Sequence, residues 1–534
     1  MSVYARPVDA DATDLADAAV DPGTSAPHAV PKGRPDKRLW FVVGLILLAG
    51  VGLRLVNVGE PMFEYHPTRQ YISVDVAWKY DIALGAQTNV GDREAAQIRT
   101  ETEPPIMEGA TAAIWRLIGD RPLWVPRVLT IVTWAAGGLV LTMLLRRLGT
   151  SSSGVVAGVA AWTFIPFVVQ ATRVFQPDPL MVVAMVLAVL GLVVDDERRT
   201  AKSLLIAGVA AGFAVFVKIP ASFFVVGAFG ALTWFSRGPQ ALWSRRTAVF
   251  GLLALLPAIV YNLLGLVVIG FLKGKQNNFV FPRMLTTADF WDSWMSLVLF
   301  TFTGSLVLLS AAGIIAARGR ARVVGVSLLA GYVAYGLVFT WNYSTHDYYH
   351  LPLVVVVALG VALAVTELES LVRRRRADLV SVAVATIAIV LFIGAWTSTA
   401  WPLVPPRVNA TEVDRRVRVY AAVGDAVDHS DRVLAMVEDY GYPLAYYGSV
   451  RSRPWPMAGD RVFEAARGDA PVSIADRFDE LAADEDAEFF VVVDFDEWDL
   501  QTDLQEFLRS RYPVYAETAD YLVFDLRSNV ASGG

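Results

Sequence analysis

The sequence predicts a polytopic α-helical membrane protein with about eleven transmembrane helices, followed by a small C-terminal α/β domain outside the membrane. Three observations carry that prediction. Of 534 residues, 55% are hydrophobic and 18% charged, which is more apolar and less charged than a soluble domain. Apolar runs of about 18 residues or more recur along the chain, each long enough to cross roughly 30 Å of hydrocarbon as a helix. The charge is also uneven: residues 401–534 hold 26 Asp and Glu against 13 Arg, so within a net charge of −6 the first 400 residues carry +7. The absence of cysteine excludes disulfides, thiolate nucleophiles and cysteine metal sites.

Residues 1–36 are rich in Ala, Asp, Pro and Gly without apolar periodicity, the composition of a disordered tail. They do not read as a signal peptide, because the apolar run starts only at Leu39, after "KGRPDKR". The membrane part, 37–401, places helices near 39–57, 124–145, 153–172, 179–195, 203–217, 219–236, 247–271, 293–316, 323–341, 349–366 and 379–400. Only Lys218, Ile219 and Pro220 separate two of these spans.

Basic residues in short loops set the orientation. Alternate loops carry "RRLG" (146–149), "DDERRTAK" (195–202), "SRGPQALWSRR" (236–246), "ARGRAR" (317–322) and "RRRR" (373–376). They share a side with the basic stretch before the first helix. The N-terminus is therefore expected to be cytoplasmic and the C-terminal domain, 402–534, extracytoplasmic, in the plasma membrane.

Residues 58–122 form a long first outer loop. Within it "ISVDVAWKYDIALG" and "EPPIMEGATAAIWRLIG" have helical apolar spacing too short and mixed to span, as in helices that lie along an interface. In the tail, "DRVLAMV", "EFFVVVDF" and "YLVFDL" read as short strands. "SIADRFDELAAD" and "LQTDLQEFLRSRY" read as amphipathic helices. Their alternation predicts a small α/β domain with a parallel sheet.

Polar residues gather on the outer side. "FEYHPTRQY" (63–71) supplies Glu64, His66, Arg69 and Gln70, and Arg93, Arg99, Glu103 and Glu108 follow in the same loop. "RVFQPDP" places Arg173 and Asp178 at the start of the fourth span, and Lys218 sits at an outer turn. "KGKQNNFVFPR" adds Lys273, Lys275 and Arg283, and "NYSTHDYYHLP" adds His346, Asp347, Tyr349 and His350. Each has a plainer reading. Asp178 can offset a helix dipole, Lys218 can snorkel to headgroups, and the loop cations can be merely solvated. His346 and His350 are spaced i,i+4. With Asp347 or Glu64 they make a divalent cation a candidate cofactor, and packing in an aromatic belt is the competing account. "NYS" (342–344) and "NAT" (409–411) match the glycosylation sequon. The agreement of these segments on one membrane face predicts one polar cavity there. Such a cavity suits a lipid phosphate, which needs Arg, Lys or His donors and a carboxylate base nearby.

Taken in order, "HPTRQY", "EPPIMEGATAAIWRLIG", "VPRVLTIVTWAAGG" with "RRLG", "RVFQPDPLMV", "VKIPASF" and "HDYYHLPLVVV" resemble the GT-C superfamily of polytopic glycosyltransferases. The likeness spans about 39–400 and is nearest the dolichyl-phosphate-mannose protein mannosyltransferases and the aminoarabinose lipid A transferases. It implies a polyprenyl-monophosphate sugar as donor and a glycan, lipid or protein as acceptor, with no nucleic acid involved. It also implies inverting transfer to an acceptor hydroxyl, helped by an acidic base. Carried over by position, Glu64 is the first candidate for the base and Asp178 is the second family acid. Glu103 is a rival, because "RQYIS" lacks the acid that many members carry after Arg-Gln. Arg69, Lys218 and His346 are candidates for the donor phosphate, and His66, Gln70, Asp347, Tyr349 and His350 for the rest of the substrate site.

Two other classes compete. A transporter or lipid flippase is expected to show internal repeats and charged or broken helices near the midplane, whereas these spans are nearly charge-free at their centres. An inactive scaffold would bind glycan through the outer domain.

Overall fold

A computed structural model describes residues 36–83, 103–270, 272, 280–375 and 410–528. The tail 1–35, Arg93, Arg99, Lys273, Lys275, the eleventh expected span (379–400) and the start of the "NAT" sequon lie outside the described residues.

All ten of the other expected spans are helical. They are α1 (Lys37–Leu55), α4 (Trp124–Arg147), α5 (Ser152–Phe164), α7 (Asp178–Arg198), α8 (Ala201–Val217), α9 (Ala221–Arg237), α10 (Arg245–Leu263), α11 (Ala288–Phe302) with α12 (Gly304–Ala316), α13 (Gly319–Val338) and α15 (Leu353–Arg375). Between them run α2 (Pro67–Ala83) and α3 (Ile106–Ile118), the two segments expected to lie along the interface, and the single turns α6 (Pro166–Ala171) and α14 (Thr340–Thr345). By length and apolarity, six helices among the described residues can cross a membrane, or seven if α11–α12 counts as one span. The protein is a multi-pass membrane protein.

Two expected spans are interrupted. The stretch 153–172 breaks at Ile165 because Pro166 starts a new turn; proline has no N–H to donate and clashes with the preceding turn. The stretch 293–316 bends by 90° between Phe302 and Gly304, where Thr303 takes a left-handed φ of 57°. In contrast, Lys218 is extended (φ −158°, ψ 125°) and ends α8. Pro220 then precedes α9, so 203–236 is two helices.

Packing in the bundle depends on small residues, as in other membrane helix pairs. A Cβ on Gly313 of α12 would lie 2.0 Å from the Gly360 carbonyl oxygen of α15. Trp134 of α4 and Trp162 of α5 stack with centroids 3.8 Å apart. Helix α7 is buried along most of its length and carries charge at both ends. Asp178 stands at one. At the other, Asp195, Asp196 and Glu197 meet Arg246, Arg320 (2.8 Å to Asp196), Arg237 (3.7 Å) and Arg147 (2.5 Å to Glu197). At 1.5 Å per residue the two ends are about 30 Å apart, the thickness of a bilayer core.

After α16 (Ala410–Ala426) the C-terminal region folds as α/β, with β1 (Val433–Met436), α17 (Tyr442–Gly448), β2 (Ser452–Pro454), α18 (Ala458–Arg467), α19 (Ile474–Glu485), β3 (Phe489–Val492), α20 (Phe495–Leu500), α21 (Thr502–Arg511), β4 (Val514–Glu517) and β5 (Leu522–Asp525). The strand order is β2-β1-β3-β5-β4. The expected parallel sheet is mixed instead. Strands β2, β1 and β3 are parallel, whereas β5 runs antiparallel to both β3 and β4. The reason is the short link from β4 to β5, since a parallel crossover needs a dozen residues or more. Strand residues alternate between two cores. Val433, Ala435, Phe489 and Val491 pack with Tyr420 and Val423 of α16, while Leu434, Phe490 and Val492 pack with Phe478 of α19 and Leu508 of α21.

Phe63, in the loop between α1 and α2, joins the first of those cores, with Tyr447 at 5.8 Å and the Arg416 guanidinium over its ring at 4.3 Å. Tyr71 donates to the Tyr447 hydroxyl at 2.9 Å, and Thr68 donates to Asp439 at 3.0 Å. The C-terminal region is thus fastened to the start of α2.

Candidate functional site

Asp178 follows Pro177 at the first position of α7 and is buried. The N-cap of α7 is Pro177, which has no side-chain group to cap the helix. The Lys218 ammonium donates to both Asp178 carboxylate oxygens at 2.9 Å. The break between α8 and α9 places that ammonium here, so Lys218 is a buried ion-pair partner and does not snorkel. Lys218 also lies 3.7 Å from Glu103, which accepts from Arg69 of α2 at 2.9 Å. The rings of Tyr348 and Tyr349 cover the ammonium, with centroids at 5.5 and 5.1 Å. Asp178, Lys218, Glu103 and Arg69, drawn from three separate segments, form one cluster.

A second polar group adjoins it. His66 Nε2 is 2.6 Å from Asp347, which also accepts from the Tyr65 hydroxyl at 3.0 Å. Burial alone would raise the Asp347 carboxyl, but the His66 and Tyr65 hydrogen bonds outweigh it and hold the group below its ordinary range. Tyr348 packs edge-on to His66 at 4.8 Å and His346 stacks at 6.5 Å. Burial first, and then the neighbouring His66, lower His346 to about 4. Its Nδ1 lies 2.7 Å from the Thr345 hydroxyl.

Other expected site residues stand elsewhere. The Glu64 carboxylate is ion-paired with Arg127 in the first turn of α4, whose fully buried guanidinium also holds the carbonyls of Val58 (3.0 Å) and Glu60 (2.6 Å). Gln70 is a staple: it donates to the Glu64 and Tyr65 carbonyls and accepts from the Phe175 amide. His350 is enclosed, its Nδ1 accepting from the Tyr332 hydroxyl at 2.6 Å and its Nε2 donating to the Tyr343 carbonyl at 3.1 Å. The helix face expected for His346 and His350 does not form, because His346 is extended and Asp347–His350 is a 3₁₀ turn. Among the described residues no three His, Asp or Glu side chains converge as metal ligands. Tyr349 remains beside Lys218.

Two buried residues were not picked out as site residues. Arg127 has a weak sequence signal, a cation in the first turn of an apolar run. Glu108, in the first turn of α3, accepts from Ser73 at 2.8 Å, and burial pushes its carboxyl up to about 7. Arg69 and Glu103 are near enough to act on its charge.

The dolichyl-phosphate-mannose-protein mannosyltransferase family matches residues 102–263, a stretch that contains Glu103, Asp178 and Lys218. No curated protein matches the sequence. Among solved structures, ArnT from Cupriavidus metallidurans bound to undecaprenyl phosphate superposes with a TM-score of 0.54 at 16% identity, covering 90% of this chain and 97% of its own. The archaeal oligosaccharyltransferase AglB from Archaeoglobus fulgidus, in complex with an inhibitory peptide and a dolichol-phosphate, gives 0.58 at 13% identity, covering 91% and 74%. The chain has the GT-C fold. Within this fold, the Asp178–Lys218 pair and Glu103 meet Arg69 of α2 at one end of α7.

Proposed function

We propose that the protein moves a sugar from a polyprenyl-monophosphate donor to an acceptor hydroxyl at the outer membrane face, with inversion. One observation carries this reading: Lys218 and Arg69 converge with Asp178 and Glu103 at one end of α7. The opposite end is ringed by arginines. Basic residues mark the cytoplasmic side, so the cluster faces outward at headgroup level and the N-terminus lies inside. With the eleven spans expected from the sequence, residues 402–534 would then lie outside as well. The fold shared with ArnT, solved with undecaprenyl phosphate, and with AglB, solved with a dolichol-phosphate and a peptide, supports a lipid-phosphate donor and a lipid or peptide acceptor.

In this reading Lys218 and Arg69 hold the donor phosphate. The acceptor oxygen attacks the anomeric carbon, the bond from that carbon to the phosphate oxygen breaks, and the electron pair leaves with polyprenyl phosphate. Donors placed in advance at that developing charge supply a large share of the rate. Glu103 takes the acceptor proton. Its side chain is 24% exposed, whereas that of Asp178 is 1% exposed and saturated by Lys218. Asp178 fixes the ammonium, and Glu64 fixes the loop through Arg127.

The test is sugar transfer by purified protein from labelled undecaprenyl-phosphate sugars to membrane glycan or lipid acceptors. Glu103→Gln is expected to lose transfer with little change in stability, and Lys218→Ala to lose transfer per folded molecule while also lowering stability. Wild-type-level transfer by both variants would overturn the mechanism.

A further inference from the structure

An open groove of about 570 Å³ lies where α2, α3 and α17 meet. Its walls are Trp78 from α2, Trp115 from α3 and Tyr446 from the C-terminal region. Tyr446 stands edge-on to Trp78, with centroids 6.2 Å apart at 71°. The Trp78 indole N–H has no partner among the described residues. The rim is polar and fixed: Arg121 donates to Asp81 at 2.7 Å and lies over Trp78 at 5.3 Å. Asp120 and Arg116 complete it, so two acids balance two arginines.

The groove is separate from the Arg69–Lys218 cluster. Trp78 lies about 13 Å further along α2 than Arg69, and at 3.6 residues per turn it projects from the other side of the helix. Arg121 is held by Asp81, and the lining as a whole carries no net charge, with Asp81 and Asp120 against Arg116 and Arg121. The lining instead combines the half-buried rings of Trp78 and Tyr446, backed by the buried Trp115, with the fixed charged groups of the rim. A pyranose or furanose ring matches both: its C–H face packs on an aromatic, and its hydroxyls bond to a carboxylate or guanidinium.

We propose that this groove binds a neutral oligosaccharide, gripped between the first outer loop and the C-terminal region. It would anchor a glycan chain beside the reaction site, and it does not depend on which lipid donor is used there.

The experiment titrates full-length protein in detergent with neutral manno-, gluco-, galacto- and arabino-oligosaccharides. Binding is read by saturation-transfer NMR and by tryptophan fluorescence. At least one series is expected to bind, and Trp78→Ala and Tyr446→Ala should each weaken it about tenfold. Tyr446→Phe, which keeps the ring, should retain most of the affinity. Protection of each variant from thermal unfolding by undecaprenyl phosphate reports separately on fold and donor site, so failure of the donor reading leaves the groove tested on its own. No binding by any series, or binding unchanged in both alanine variants, overturns the proposal. Selective binding of a peptide in place of every glycan overturns it as well.

Discussion

The Lys218 ammonium lies 2.9 Å from each carboxylate oxygen of Asp178, and both residues are buried. Removing Lys218 leaves the buried Asp178 carboxylate uncompensated, at a cost of about 3–5 kcal/mol, and removing Asp178 leaves the ammonium with Glu103 at 3.7 Å as its remaining acid. Asp178→Asn and Lys218→Met should each lower the unfolding temperature in detergent. The double variant should regain most of that loss, because the buried charge has gone. Sugar transfer should fall at least about 100-fold in all three. A double variant less stable than either single variant would count against a coupled pair.

In the proposed reaction Glu64 holds the fold and Glu103 reacts, and the two roles can be told apart. Glu64 faces the fully buried Arg127, which also ties down the carbonyls of Val58 and Glu60. Glu64→Gln should therefore reduce stability by roughly 1–3 kcal/mol and leave measurable transfer. Glu103 is partly open and shares Arg69 and Lys218, so Glu103→Gln should abolish transfer with little change in melting. Thermal unfolding and turnover measured on the same preparations check both. The reverse pattern would return the base to Glu64.

The extent to which the sequence disclosed this arrangement follows from the range of the interactions. Apolar runs are local, so ten helices were legible. The bend at Thr303 rests on one left-handed residue with no compositional mark. The gathering of Asp178, Lys218 and the His346–Tyr349 segment was legible because alternating basic loops sort the turns to two sides. Partnerships were not. Glu64 reaches Arg127 across 63 residues and His350 reaches Tyr332 across 18, and no spacing rule names such pairs. The fastening of Phe63, Thr68 and Tyr71 to the C-terminal region was equally hidden, although all three stand in or beside the histidine-arginine stretch that draws notice first.

Asp196 supplies a contrast with Asp178 at the opposite end of the same helix. It accepts from Ser236 at 3.0 Å and from Arg320 at 2.8 Å, with Arg237 at 3.7 Å. Asp196→Ala should destabilise the protein by about 3 kcal/mol, since it strips the partner from a buried network. Transfer per folded molecule should stay within about twofold of wild type, because the network is about 30 Å from the site. Activity normalised to the folded fraction checks this, and a loss matching that of Glu103→Gln would mean that the two ends are coupled.

Glu108, in the first turn of α3, makes stability depend on pH. Burial raises its carboxyl to about 7, against an ordinary value of 4.5. Between those values the folded protein holds a proton that the unfolded chain has released, so stability falls as pH rises from about 4.5 to 7 and levels off above. The full span is on the order of 3 kcal/mol at most. Glu108→Gln keeps the acceptor for Ser73, whose hydroxyl donates at 2.8 Å, and cannot ionise. The variant should match wild type in melting temperature near pH 5 and exceed it near pH 8. Melting curves of both proteins at the two pH values decide the matter. A constant difference between them would show that Glu108 does not change charge across that range.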